Sequence, residues 1–150
     1  MNTGILIIAH APLASALREC VLHVYPETAN GVLALDVLPN ASTDITRAAA
    51  QALLQQLGAP NTLVLTDVFG ATPSNVAQRL ADGVQVCVIA GVNVPMLWRS
   101  LCYATEPLAA VVGRALAGAT QGVRLVAASI ADNQTIKTDS NDKNDAHHQQ

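Results

Sequence analysis

Apolar residues in this chain fall in short unbroken runs instead of strict alternation. Ile5-Leu6-Ile7-Ile8-Ala9 is one such run, and it ends on His10. Three of its five residues are Ile, whose β-branched side chain suits a pleated backbone. A run of this length without alternation predicts a parallel strand covered on both faces. Residues 32–37, 61–67 and 84–90 repeat the pattern and predict three more strands. Between the runs the apolar spacing becomes helical. Leu13, Ala16, Leu17, Cys20, Val21 and Val24 predict the inner face of a helix that opens at Pro12. Ser42-Thr43-Asp44 supplies a cap and a first-turn acid for a second helix, which runs through Ile45, Ala49, Leu53 and Leu57 to Gly58. Thr72 as cap and Pro73 as first residue predict a third helix, and Pro95 opens a fourth that includes Met96, Leu97, Trp98 and Leu101. A fifth covers about residues 108–119. Trp98 reads as a packing residue and His23 as a surface one.

Strands separated by helices predict an α/β fold: a doubly wound, mainly parallel sheet of order 2-1-3-4 with helices on both faces. Residues 123–130 are again apolar and predict a fifth strand. No crossover helix follows it. It is therefore expected as an antiparallel edge strand, in its own subunit or in a neighbour's.

Composition narrows the class. The 150 residues are 51% hydrophobic and only 3% aromatic, so the core must be built from Ala, Val, Leu and Ile. Residues 1–130 carry six Arg, no Lys and seven acids, with no basic stripe, which argues against nucleic-acid binding. They read as one domain, and residues 131–150 as a polar, disordered tail. His147-His148 in that tail is a weak metal signal and is discounted. Cys20, Cys87 and Cys102 form no CxxC pair and read as small buried hydrophobes in a reducing compartment. No apolar run approaches the ~20 residues of a membrane span, and no charged leader precedes the first run. The expected location is the cytoplasm.

The chemistry gathers at strand ends. In an order 2-1-3-4 sheet the switch point lies between strands one and three, where ligands bind. His10 ends strand one and Asp67 ends strand three, so the two should face each other there. An imidazole held by a carboxylate commits one nitrogen as a donor and keeps a lone pair on the other, a nucleophile. Two helix N-termini, after His10 and at Thr72-Pro73, would offer N–H groups to an anion. Nucleophile, orienting carboxylate and anion cradle suggest phosphoryl transfer through phosphohistidine. There is no Walker loop and no GxGxxG. No Arg adjoins His10 in sequence, which counts against a hydrolase. On these residues a phosphoryl carrier, a hydrolase or kinase subunit, and an anion-sensing regulatory module all stay open.

Three stretches carry a resemblance: the strand ending in His10, Thr66-Asp67-Val68-Phe69-Gly70-Ala71-Thr72-Pro73-Ser74-Asn75, and Gly91-Val92-Asn93-Val94-Pro95-Met96. Over about residues 3–130 the chain resembles the mannose-type (mannose/fructose/sorbose) IIA domain of the bacterial phosphoenolpyruvate-dependent sugar phosphotransferase system. The resemblance implies that His10 is phosphorylated, that Asp67 orients it, and that Gly70, Ala71 and Thr72 form the phosphate pocket. Phe69 and Asn93 would stand at its rim. It implies phosphoryl gain from phospho-HPr, transfer to a IIB protein or domain, a homodimer, and no metal or organic cofactor. A related form serves dihydroxyacetone phosphorylation. Two departures stand out. Ala11-Pro12 follows the histidine where many members have glycine, and no IIB domain is expected after residue 130.

Overall fold

The computed structural model describes residues 1–127. Four strands form one all-parallel sheet in the order β2-β1-β3-β4. They are β1 (Thr3–His10), β2 (Val32–Val37), β3 (Asn61–Thr66) and β4 (Val86–Ala90). The crossovers are α1 (Leu13–Val24), α2 (Thr43–Leu57) and α3 (Thr72–Leu80), and α4 (Val94–Cys102) and α5 (Leu108–Gln121) follow β4. A short 3₁₀ turn, Pro26–Thr28, leads into β2.

Strand β1 is the axis of the domain. Thr3 to Ala9 are all buried, which is why the run does not alternate. Ile5, Ile7 and Ala9 pack with α1, α4 and α5 on one face of the sheet. Leu6 and Ile8 pack with α2 and α3 on the other. His10, two residues beyond Ile8, continues the α3 face at the carboxyl edge of the sheet.

The helices are turned by about one residue from the sequence expectation. In α1 the buried residues are Ala14, Leu17 and Val21, and Cys20 is exposed, not buried. In α2 they are Thr46 and Ala50, while Ile45 is 72% exposed. Small side chains let a helix approach the sheet closely, so Ala and Thr take the line of contact and larger residues move to its margins. Cys87 is half-buried within β4, and Cys102 is exposed. Trp98, expected in the packing, is 42% exposed.

Other corrections have local causes. Strand β4 begins at Val86, because the Asp82 carboxylate takes the N–H groups of Val84, Gln85 and Val86 and holds residues 82–85 in a turn. Pro12 is the cap residue of α1, not its first helical residue. Residues 123–127 do not form the expected strand. Among the described residues they join no ladder, Val123, Leu125 and Val126 are exposed, and a helical turn begins at Val126. The remainder of the 123–130 segment and the 131–150 tail lie outside the described residues.

Side chains of α1 tie it to β2, the edge strand. Arg18 donates to the carbonyls of Val32 (2.6 Å) and Ala29 (2.8 Å). Asp36 accepts from the Ser15 N–H (3.0 Å) and the Ser15 hydroxyl (2.5 Å). Helices α4 and α5 meet where α5 has glycine. A Cβ on Gly118 would lie 2.7 Å from Arg99 Cβ and 3.1 Å from the Pro95 carbonyl. Gly118→Ala should therefore lower stability by about 1–3 kcal/mol through overpacking. Urea denaturation of the variant against wild type measures it.

Candidate functional site

The parallel register sets His10 and Asp67 side by side. Ile8 pairs with Thr66, so two steps of β1 and one step past β3 bring the two candidate residues to the same edge. Beyond that point β3 and β4 stay joined: the Gly91 N–H donates to the Asp67 carbonyl (2.8 Å) and the Val92 N–H to the Thr66 carbonyl (2.9 Å). The backbone of Asp67 is thus fixed by the loop that follows β4.

The side chains meet as the topology predicts. Asp67 Oδ2 accepts the His10 backbone N–H at 2.9 Å and stands 2.6 Å from His10 Nδ1. An ionised carboxylate can only accept, so Nδ1 carries the proton and donates. Asp67 Oδ1 accepts the Val68 N–H at 2.8 Å. Burial alone would raise the Asp67 carboxyl. The hydrogen bonds from the His10 N–H, the His10 ring and the Val68 N–H outweigh it and hold the group below its ordinary 3.8. The His10 side chain is 50% exposed and that of Asp67 13%. With Nδ1 committed, Nε2 is the nitrogen left for chemistry.

The loop from Val68 to Ala71 then turns into α3. Gly70 has φ +88°, a left-handed conformation that disfavours any side chain, although a Cβ there would meet nothing within 4 Å. Backbone strain, not space, calls for glycine. The residue preceding α3 is Ala71; Thr72, the expected cap, is instead the first helical residue, and it is exposed. The first backbone bond of the helix runs from the Asn75 N–H to the Ala71 carbonyl. The N–H groups before it, at Thr72 and Ser74, have no intrahelical acceptor.

The second helix N-terminus is different. The Ser15 N–H of α1 is already taken by Asp36. Sequence reading missed this cap. Its signal was present: Asp36 is the only charged residue in the 32–37 run. Asn93 is also differently engaged. Its side chain accepts the Met96 N–H at 2.9 Å and donates to the Ala119 carbonyl at 3.2 Å, tying the start of α4 to the end of α5. Phe69, by contrast, is 77% exposed, and Leu13, Leu38 and Val68 stand exposed at the same sheet edge. Among the described residues no three His, Cys, Asp or Glu side chains stand together as metal ligands.

Fold and site define a doubly wound α/β domain whose switch point holds one histidine clamped by one carboxylate, beside an uncapped helix N-terminus. Residues 4–116 match the family described as "PTS system fructose IIA component" (EIIA-man), and the chain belongs to that family. Among solved structures it is similar to the phosphotransferase system component EIIA from Streptococcus agalactiae, at 22% identity and TM-score 0.73, over 84% of this chain and 98% of that one. It is also similar to the mannose/sorbose specific IIA subunit from Enterococcus faecalis, at 25% identity and TM-score 0.73, over 84% and 96%. A third is the PTS IIA protein associated with the fucose utilization operon from Streptococcus pneumoniae, at 24% identity and TM-score 0.71, over 87% and 97%. No curated protein matches the chain significantly. No helix among the described residues is long and apolar enough to cross a membrane.

The carboxylate makes a pH prediction. A group whose value is lowered by folding adds stability that is fully present above its unfolded value, near 3.8, and is lost as pH falls through the lowered folded value. A carbon-detected NMR titration of Asp67 should therefore show a midpoint below 3.8. Asp67→Asn should remove that part of the acid response.

Proposed function

We propose that this chain is a phosphoryl carrier, taking a phosphoryl group from phospho-HPr on His10 and passing it to a IIB component for sugar uptake or its regulation. The observation that carries the reading is the double hold of Asp67 Oδ2 on His10. It locks the protonated nitrogen inward and leaves Nε2 with its lone pair at the surface.

In the forward step Nε2 attacks phosphorus and the new N–P bond forms as the donor's N–P bond breaks. The donor imidazole leaves with the electron pair of that bond. The His10 ring becomes positive overall, and Asp67, still ionised, balances it through the Nδ1–H bond. Transfer onward is the same exchange in reverse. Little covalent work falls to the protein, whose task is positioning and charge balance. The amides at Gly70, Ala71 and Thr72 and the Thr72 hydroxyl are assigned to the phosphoryl oxygens, since this helix end is uncapped and lies beside His10. Phe69, with Leu13, Leu38 and Val68, forms an apolar rim suited to a protein partner rather than a small substrate.

Incubation with phosphoenolpyruvate, enzyme I and HPr should give an acid-labile, base-stable adduct that mass spectrometry maps to His10. His10→Ala should abolish it without unfolding the protein. Asp67→Asn should slow transfer on the order of 100-fold. Labelling at His23 or at a serine, or unchanged kinetics in Asp67→Asn, would overturn the assignment.

The carrier is further proposed to be a homodimer. Val123, Leu125 and Val126 form an exposed apolar segment just beyond α5, which supports burial against a second copy. Joint replacement Val123→Asp and Val126→Asp should yield monomers in light scattering while wild type runs as a dimer.

A further inference from the structure

Two buried side-chain oxygens among the described residues have no hydrogen-bond partner, Thr3 Oγ1 and Thr66 Oγ1. A hydroxyl left unpaired in a core destabilises the fold, because it gives up its bonds to water and gains none in return. Valine has nearly the same shape and suits a strand equally well, without that penalty. A threonine in such a place points to a partner that arrives later.

The two hydroxyls stand at opposite ends of the sheet. Thr3 opens β1 at the amino edge. Thr66 closes β3 at the carboxyl edge, between Ile8 of β1 and Ala90 of β4, and is 0% exposed. Val64, two residues before it, packs with Ile8 and with Val76 and Ala77 of α3. Alternation along the strand puts the Thr66 side chain on that same face. His10, two residues beyond Ile8, continues it. The Thr66 hydroxyl therefore lies on the α3 side of the sheet, one strand away from His10 and directly before Asp67.

The loop that leads into α3 supplies the partner. A planar trans peptide points its N–H and its C=O in opposite directions. When the amides of Gly70 and Ala71 turn outward to phosphoryl oxygens, the carbonyls of Phe69 and Gly70 turn inward, toward the sheet. Neither carbonyl takes a backbone hydrogen bond as the loop stands. Turned inward, they need a donor. The side chains at Ile8, Val64, Val76 and Ala77 are hydrocarbon, and the donor at hand is the Thr66 hydroxyl. Gly70, at φ +88° with open space where a Cβ would stand, lets its flanking peptides rotate without a clash.

We propose that Thr66 is a positioning residue for phosphoryl transfer, its hydroxyl donating to the Phe69 or Gly70 carbonyl when the loop amides engage the phosphoryl group. The inference rests on the carrier reading above. Thr66 does not touch the phosphoryl group; it steadies the peptides that do. The unpaired hydroxyl destabilises the free protein, and phosphorylation relieves that destabilisation, so the hydroxyl favours the loaded state.

Thr66→Val, Thr66→Ser and, as a control, Thr3→Val are compared with wild type in the full chain. In urea, unphosphorylated Thr66→Val and Thr3→Val should both unfold at a higher concentration than wild type. With phosphoenolpyruvate, enzyme I and HPr, Thr66→Val should be labelled at His10 about tenfold more slowly, the effect of one lost hydrogen bond. Thr66→Ser, which keeps the hydroxyl, and Thr3→Val should stay within about threefold of wild type. In NMR spectra the Gly70 and Ala71 amide signals should move on phosphorylation of wild type and Thr66→Ser, and move less in Thr66→Val. A wild-type rate in Thr66→Val, or an equal loss in Thr66→Ser, would overturn the inference. So would a Thr66→Val protein less stable than wild type, since the hydroxyl would then already be bonded in the free protein. A wild-type chain that takes no label on His10 would instead overturn the carrier reading, and this inference with it.

Discussion

A single carboxylate oxygen holds the functional end of the molecule together. Asp67 Oδ2 accepts from both the main chain and the ring of His10, and its companion Oδ1 accepts from Val68. The same residue's carbonyl is held by Gly91. Through one side chain and one peptide group, the ends of β1, β3 and β4 are pinned to one another. The imidazole cannot turn without breaking a charge-assisted bond, so its free nitrogen has a fixed direction. The parallel register makes this possible, because every strand ends at the same side of the sheet.

The two helix N-termini near the site are not equivalent. Asp36, from β2, fills the first turn of α1 with negative charge and accepts its Ser15 N–H. Helix α3 has no such cap. An anion is disfavoured at the first and favoured at the second, which supports the side proposed for the phosphoryl group.

How much of this could be read in the sequence depended on scale. Strand order followed from unbroken apolar runs and right-handed crossovers, and the His10–Asp67 pair followed from strand order. These are global constraints, insensitive to errors of a residue or two. Helix faces are local, and there the reading slipped. Hydrophobicity pointed at Cys20 and Ile45, whereas the sheet took Ala14 and Thr46 because a small side chain permits closer contact. The early end of the 84–90 run was hidden because a single side chain, Asp82, diverted three backbone N–H groups. Residues 123–127 have the composition of a strand, but a strand exists only beside another strand, and among the described residues none pairs with them. Asn93 has the right place for a rim residue, yet its amide is used to fasten two helices.

The grip of Arg18 on Val32 bears on how the molecule behaves in a crowd. β2 is an outer strand, and Val32 turns its carbonyl away from β1, since the bond from Ile5 goes to Gly31. A foreign strand growing onto this rim would need that oxygen. It is already occupied by a guanidinium that also grasps Ala29. Strand addition at the start of this border thus meets an acceptor already taken, which disfavours sheet-to-sheet pairing there.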